Sequence, residues 1–290
     1  MGINTIKGLK VLFRAKLQHI YPVSETDSIF SLVAEEITGL SRTGQSLMAD
    51  RALSGQQYER FEEILARLAK CEPVQYILGK AWFYGLCFSV NPGVLIPRQE
   101  TEVLVDTLIN KCPAPDGPVI DIGTGSGCIA IALKKNLPLA QVFALDISEG
   151  AIETAKTNAI ANNTEINFIC DDILNPGIRL DCRFGLIVSN PPYVRGSEKK
   201  SMHQNVTGFE PHNALFVPDS DPLLFYRAIA GVSAKYLKPG GMLAVEINEA
   251  LGESTCALFA GKGYSEVEIL KDLNQKERFI IARKYAEGQH

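Results

Sequence analysis

No two cysteines in this 290-residue sequence stand at C-x-x-C spacing, and the seven present (Cys71, Cys87, Cys112, Cys128, Cys170, Cys182, Cys256) are odd in number and scattered. None falls near a histidine at metal-ligand spacing, so the cysteines suggest neither a disulfide framework nor a zinc site, and no metal is expected. Several lie in apolar runs, where Cys behaves as a small hydrophobe. Free thiols in a reducing compartment are the expectation. Long hydrophobic runs are missing too, since none approaches the ~20 residues of a membrane span. At the N-terminus, Ile6 occupies the place where a myristoylation signal needs Ser or Thr. There Lys7, Lys10, Arg14 and Lys16 interleave with Ile6, Leu9, Leu12, Phe13 and Leu17 as in an amphipathic helix, without the apolar core and cleavage site of a signal peptide. A cytoplasmic protein without a membrane partner is therefore expected. A basic excess is also lacking: 29 Lys and Arg face 33 Asp and Glu, for a net charge of -4. Duplex binding depends on neutralising phosphate, so nucleic acid is disfavoured as a direct substrate. Internal repeats and low-complexity segments are absent.

What is present is ample apolar material, 46% of residues, in a chain long enough for two domains at ~150 residues each. Residues 1 to about 75 carry helical periodicity: Ile29, Leu32, Val33, Ile37 and Leu40 recur at spacings of three and four, as do Tyr58, Phe61, Ile64, Leu65 and Leu68. Four or five short helices are expected. The texture changes at Pro73. Residues 74–98 are aromatic and β-branched, with Gly79, Gly85 and an Asn91-Pro92-Gly93 turn, which suggests a hairpin in which Trp82 packs. From Thr101 onward, strands expected at 118–123, 140–147, 166–171, 184–190, 241–247, 266–271 and 278–283 alternate with helices. The last two, joined by Asp272 to Glu277 alone, must pair antiparallel. The expected fold class is α/β, a seven-stranded, mostly parallel, doubly wound sheet with a small helical domain before it. Seven strands ending in such a hairpin resemble the class I methyltransferase fold more than a classical dehydrogenase. The division is 1–73 helical, 74–100 hairpin linker, and 101–290 cofactor-binding.

The strand before Gly123 runs into Gly123-Thr124-Gly125-Ser126-Gly127 and then an apolar helix. Glycines at such a turn admit close backbone approach and conformations closed to other residues. The spacing is G-x-G-x-G, not the G-x-G-x-x-G of dinucleotide sites, and no Lys follows as in a phosphate-binding loop. Asp121 adds negative charge where phosphate would be unwelcome. Asp146 ends the next strand, placed to accept hydrogen bonds from ribose hydroxyls, and Asp172 ends the third, placed for an adenine amino group, with Ile173 as an apolar face. Three acids at successive strand ends fit a cationic, phosphate-free cofactor, S-adenosylmethionine, leaving as S-adenosylhomocysteine.

After the fourth strand comes Asn190-Pro191-Pro192-Tyr193, at the sheet edge where ligands bind. An amide or aryl amine is a poor nucleophile because its lone pair is delocalised. Acceptors aimed at its N–H bonds favour pyramidalisation, as their stabilisation grows with positive charge on nitrogen. Asn190 offers a side-chain oxygen and Pro191 a carbonyl; the prolines fix φ and remove donors, and Tyr193 can stack on a planar group. By this reasoning alone the acceptor is an amide or an adenine amino group.

Further strings narrow the choice: Glu72-Pro73-Val74-Gln75-Tyr76-Ile77-Leu78-Gly79, Phe83-Tyr84-Gly85-Leu86, Val94 to Pro97 with Arg98-Gln99-Glu100-Thr101-Glu102, and Phe209-Glu210-Pro211 with Ala214-Leu215. With the glycine turn and Asn190 to Tyr193, they resemble the bacterial peptide chain release factor glutamine methyltransferases over about residues 65–285. The resemblance implies methylation of the N5 side-chain nitrogen of the glutamine in the Gly-Gly-Gln motif of class I release factors. It also implies a helical domain that docks this protein substrate, a substrate pocket formed by Asn190, Pro191, Pro192 and Tyr193, and cofactor contacts from Asp121, the Gly123 to Gly127 turn, Asp146, Asp172, Ile173 and Asn190. Rival readings are glutamine methylation of a ribosomal protein and N6-adenine methylation of DNA or rRNA. Departures from the family pattern are Gln99 in place of a second proline, Asn248 in place of glycine, Leu251 in place of glutamine and Ile173 in place of an aromatic residue. They are expected to affect the pocket wall and a turn, not the transfer site. His203, His212, His19 and the Lys199-Lys200 pair read as structural or solvated, and Arg98 as orienting either the linker or a cofactor carboxylate.

Overall fold

A computed structural model describes residues 4–177 and 179–286; the Met1-Gly2-Ile3 start used in the myristoylation comparison lies outside them. The chain forms two compact units. One runs through Gly79 and also takes in His203–Phe209, while the other is Lys80–Met202 together with the chain from Glu210 on.

The first unit contains α1 (Ile6–Leu17), α2 (Val23–Thr38), α3 (Arg42–Leu47), α4 (Gly55–Leu68) and α5 (Val74–Leu78). Leu9, Phe13 and Leu17 fall on one face of α1 and are buried. The Phe13 ring meets those of Phe30 and Phe61 at centroid distances of 5.5 and 5.9 Å. Burying each large apolar side chain stabilises such a core by roughly 1.5–3 kcal/mol. A capping box starts α4: Ser54 Oγ accepts from Gln57 N at 3.3 Å, and Gln57 Oε1 accepts from Ser54 N at 3.1 Å. Each bond satisfies a backbone N–H that the helix itself cannot. His203 packs its ring on Tyr21 at 5.7 Å, a structural role. Val74–Leu78 departs from the hairpin expectation. Its β-branched texture is overridden by Pro73 at the N-cap and by Gly79, left-handed at φ 70°, at the C-cap, and Val74, Tyr76 and Ile77 are buried on this short helix.

The second unit opens with a hairpin of β1 (Lys80–Phe83) and β2 (Leu86–Ser89). Tyr84 and Gly85, both at positive φ (49° and 74°), make the two-residue turn whose twist suits a hairpin. Trp82 does not pack this hairpin as expected. Ala81 and Phe83 take the inward face, so strand alternation turns Trp82 outward, where it is 63% exposed.

Then follow α6 (Gln99–Lys111), β3 (Val119–Ile122), α7 (Cys128–Asn136), β4 (Val142–Asp146), α8 (Glu149–Ala161), β5 (Asn167–Cys170) and β6 (Phe184–Ser189). After them come β7 (Val194–Arg195), β8 (Phe216–Val217), α10 (Leu224–Tyr236), β9 (Leu237–Glu246), α11 (Gly252–Ala260), β10 (Tyr264–Lys271) and β11 (Glu277–Lys284), while α9 (Gln204–Phe209), between β7 and β8 in the chain, belongs to the first unit. The seven-stranded sheet has the order β10-β11-β9-β6-β3-β4-β5. Its strands are parallel except β11, which pairs antiparallel with both β9 and β10, as the short Asp272 to Glu277 connection required. Alternate residues feed opposite faces. Val119, Val142, Leu186 and Val188 pack with α6 and α7, while Ile120, Leu145, Ile187 and Val245 pack with α10 and α11. The parallel pairing of β7 with β8, two residues each, was not foreseen; runs that short carry no periodicity.

Gln99 is the first residue of α6. That position suits the family's proline and tolerates glutamine equally, because its N–H has no partner within the helix.

Candidate active site

The carboxyl ends of β3, β4, β5 and β6 surround a cleft of about 240 Å³. At the end of β3, Gly123, Gly125 and Gly127 have φ values of 74°, 54° and 83°. A side chain on Gly123 or Gly125 would meet nothing within 4 Å, so these two need glycine for backbone conformation and line the cleft. At Gly127 a Cβ would stand 3.0 Å from that of Ala155 on α8, so its role is also close packing.

Asp146 braces the glycine turn. Its carboxylate accepts from Gly125 N at 2.8 Å and from Ser148 N at 3.0 Å while lining the cleft. Burial raises its pKa, and those backbone donors work against the rise. Asp171 and Asp172 line the cleft at the end of β5 with Ile173. Asp172 accepts from Leu174 N at 2.8 Å and from Asn175 Nδ2 at 3.1 Å, which shapes the turn there. Asp121 lies elsewhere. Fully buried beneath the turn, it accepts from Thr124 Oγ1 at 2.6 Å, and burial pushes its carboxyl up to about 7. Thr124, Ser126 and Gly127 likewise sit behind the cleft wall, not on it.

On the β6 side, Asn190, Pro191 and Pro192 line the cleft. Asn190 Nδ2 donates to Thr101 Oγ1 at 3.2 Å, and Thr101 Oγ1 donates to Glu246 Oε2 at 2.6 Å. Tyr193 turns away from the cleft lining and gives its hydroxyl to Glu246 Oε1 at 2.8 Å. Burial and the Glu246 charge raise the Tyr193 pKa well above its ordinary value. Glu246 itself, 1% exposed, is raised by burial and lowered by its two hydroxyl donors and by nearby Arg278. Asn248 Nδ2 donates to Tyr193 O at 3.2 Å and to Glu198 Oε2 at 2.9 Å. The departure at 248 therefore reaches the tetrapeptide, contrary to expectation, because the turn after β9 lies beside it.

The linker supplies a wall as well. Gly93, Val94 and Leu95 line the cleft. The chain leading to them is held by a polar stripe on α8 and its C-cap, where Thr154, Asn158 and Asn162 recur at spacings of four. Asn158 Oδ1 accepts from Ser89 N at 2.7 Å, and its Nδ2 donates to Ser89 O at 3.0 Å and Ser126 O at 2.9 Å. Asn162 Nδ2 donates to Cys87 O and Asn91 Nδ2 to Thr154 Oγ1, each at 3.0 Å. Past this stripe, Glu210, 4% exposed, accepts from Ile96 N at 3.2 Å and pairs with Arg98 at 2.6 Å. Arg98 thus orients the linker. His212 packs edge-on to Phe216 at 5.3 Å, and Lys199 lies over the same ring at 5.4 Å.

The chemistry of the lining tests what the cleft can hold. Among the described residues it presents the carboxylates of Asp146, Asp171 and Asp172 and no Lys, Arg or His. A phosphate would meet only like charge there, whereas a cationic, ribose-bearing ligand finds acceptors and an apolar floor of Leu145, Ile173 and Ile229. A second hollow of about 460 Å³ opens at the other ends of β3 and β4, among Pro113, Pro115, Pro138 and Leu139, and offers no charged group.

Sequence comparison adds kinship to geometry. Residues 97–208 match the family model "Methyltransferase small domain", and residues 12–79 match "PrmC N-terminal domain". A release factor glutamine methyltransferase of Flavobacterium psychrophilum is 43% identical over 279 residues, which cover 95% of this chain and 98% of that protein. One of Bacteroides thetaiotaomicron is 42% identical over 271 residues, covering 93% and 97%. Among solved structures, a methyltransferase from Pyrococcus furiosus superposes with a TM-score of 0.51 at 20% identity, over 80% of this chain and 100% of that one, a likeness of fold.

Proposed function

The chain belongs to the release factor glutamine methyltransferases, and on that premise we propose that it methylates the N5 nitrogen of the glutamine in the Gly-Gly-Gln motif of class I release factors. It is an S-adenosylmethionine-dependent protein-glutamine methyltransferase. The observation that carries the finer reading is Asn190, whose amide nitrogen is engaged by Thr101 at 3.2 Å while its side chain lines the cleft. The amide oxygen is then the atom left for the substrate.

When bound, S-adenosylmethionine supplies an electrophilic methyl group on a sulfonium. In this reading the ribose is held by Asp146, whose orientation its two backbone donors keep, and the adenine by Asp172 and Ile173. The Gly123 to Gly127 turn lets the backbone approach, with Asp121 supporting that turn from beneath. Asn190 Oδ1 and the Pro191 carbonyl accept the two N–H bonds of the substrate amide. Both interactions strengthen as the nitrogen pyramidalises and becomes positive, so they favour the transition state over the ground state. Pro192 completes the pocket by rigidity, and Tyr193, outside the cleft lining, supports it from behind by its tie to Glu246. Because the cation formed when the amide nitrogen takes the methyl group is a strong acid that sheds its proton to solvent afterwards, no base need act before transfer. Holding the nitrogen in line at near-contact distance supplies several kcal/mol in such reactions.

The domain division follows from the same reading: residues 1–73 dock the release factor, 74–100 form the linker that walls the cleft, and 101–290 carry cofactor and chemistry. A substrate on the translating ribosome's factors puts the enzyme in the cytoplasm. Among the described residues, no helix is long and apolar enough to cross a membrane. The test offers radiolabelled cofactor with a class I release factor, a ribosomal protein or adenine-containing DNA. Label on the release factor that disappears when its Gly-Gly-Gln glutamine is replaced is the expected result. Label that survives that replacement refutes the assignment.

A further inference from the structure

Asn190 can orient a substrate amide only if its own amide points the right way, and nothing in an isolated asparagine decides which end faces the cleft. The neighbouring geometry does. Thr101, 2% exposed, has one hydroxyl proton, and it goes to Glu246 Oε2 at 2.6 Å. The side of Thr101 Oγ1 facing Asn190 then presents only lone pairs, so the Asn190 NH2 must face it, as the 3.2 Å contact records. Glu246 is acceptor-only when ionised, and its second oxygen takes the Tyr193 hydroxyl at 2.8 Å. One carboxylate thereby anchors both ends of the tetrapeptide.

We propose that Thr101 and Glu246 are positioning residues for methyl transfer: Glu246 polarises the Thr101 hydroxyl, and Thr101 fixes the Asn190 amide with its oxygen toward the acceptor nitrogen. This rests on the role given to Asn190 above. The arrangement has a direction, and the direction carries the function. If Glu246 were replaced by a neutral amide, its NH2 could donate to Thr101 instead. The Thr101 proton would then turn toward Asn190, and the Asn190 amide would flip to present NH2 to a substrate that itself offers N–H.

The experiment measures kcat and KM for a full-length release factor, and calorimetric affinity for S-adenosylmethionine, in Thr101→Val, Thr101→Ser, Glu246→Gln, Asn190→Ala and the Thr101→Val/Asn190→Ala double variant. Thr101→Val keeps shape and loses the hydroxyl. Its kcat falls by about tenfold or more, the scale of one misdirected transition-state hydrogen bond, while cofactor affinity holds. Thr101→Ser restores turnover, and Glu246→Gln resembles Thr101→Val. The double variant is no slower than Asn190→Ala alone, because residues acting through one another are not additive. Wild-type kcat in Thr101→Val, a serine variant as slow as the valine, additive losses in the double variant, or parallel loss of cofactor binding would each overturn the proposal. Since Thr101→Ser tests the hydroxyl without touching Glu246, the outcome does not depend on how well Glu246→Gln folds. Wild-type turnover in Asn190→Ala would remove the premise itself, and label transfer to the release factor would then have to be explained by another residue.

Discussion

Asn248 Nδ2 donates to the backbone carbonyl of Tyr193 at 3.2 Å, tying the turn after β9 to the last residue of the Asn190 to Tyr193 segment. The same nitrogen reaches Glu198 at 2.9 Å. A glycine at 248, which the family resemblance leads one to expect, cannot make either bond, so in this chain a side chain ties the segment down. Asn248→Gly is expected to lower kcat/KM several-fold, about the effect of 1 kcal/mol. Steady-state kinetics with a release factor decide it, and unchanged kcat/KM would mean that the tetrapeptide is rigid without this tie.

Asn190→Ala removes the side-chain acceptor but leaves the prolines and the glycine turn intact. Turnover should fall by roughly 100-fold or more, as when a single transition-state hydrogen-bonding group is deleted. Cofactor affinity, measured by calorimetry, should change little. Equal losses in both would contradict an acceptor-binding role.

Asp146 stands in the opposite half of the site. Asp146→Asn loses charge and turns an NH2 toward a backbone donor, at Gly125 or at Ser148. The expected outcome is cofactor binding weakened about tenfold or more, the scale of a lost charge-assisted hydrogen bond, seen as a raised Kd. A variant that binds cofactor normally would place the ribose elsewhere.

Asp121 predicts a pH dependence of stability. Its carboxyl is pushed by burial from 3.8 up to about 7, so between these values the folded state holds a proton that the unfolded chain releases. Stability from this group is complete below about pH 4 and declines as pH rises toward 7, since the unfolded state then binds fewer protons. Asp121→Asn removes that slope. Melting temperatures of the two proteins across this window should show the wild type losing ground to the variant as pH rises; a constant difference would contradict the burial argument.

Asn158 is fully buried and bonds both backbone groups of Ser89. Asn158→Ala strands them without partners, and urea unfolding should register a loss of about 2–4 kcal/mol. Because those bonds also hold the strand leading to Gly93, Val94 and Leu95, cofactor affinity should fall with stability. A variant destabilised yet binding normally would separate the linker from the cofactor wall.

These side chains differ in how far the sequence announced them. The glycine turn and Asn190 to Tyr193 are consecutive residues whose chemistry follows from local order, and the parallel strands are apolar runs between helices. Thr101 and Glu246 were invisible as a pair, for they lie 89 and 145 residues from the partners that give them meaning. Asn158 on a helix face reads as solvated until strand β2 is seen against it. Asp121 belongs to the right motif, but no one-dimensional pattern says that its carboxylate points beneath the turn and not into the cleft. Val74–Leu78 was misread because two caps outweigh the β propensity of five residues, and Trp82 because alternation along a short strand depends on which face meets a neighbour.

The strand order has a consequence for how such an enzyme can change. The sheet reverses direction of growth between β3 and β6, where Ser189 Oγ donates to Ile122 O at 2.7 Å across the seam. Every carboxylate lining the cleft comes from the β4 and β5 side, and Asn190, Pro191, Pro192 and the Glu246 anchor come from β6 and β9. Donor and acceptor are thus read by different stretches of chain that touch along a single line. Substitutions after β6 can retune which nitrogen is accepted while the donor's half keeps its fit, and only changes at the seam disturb both at once.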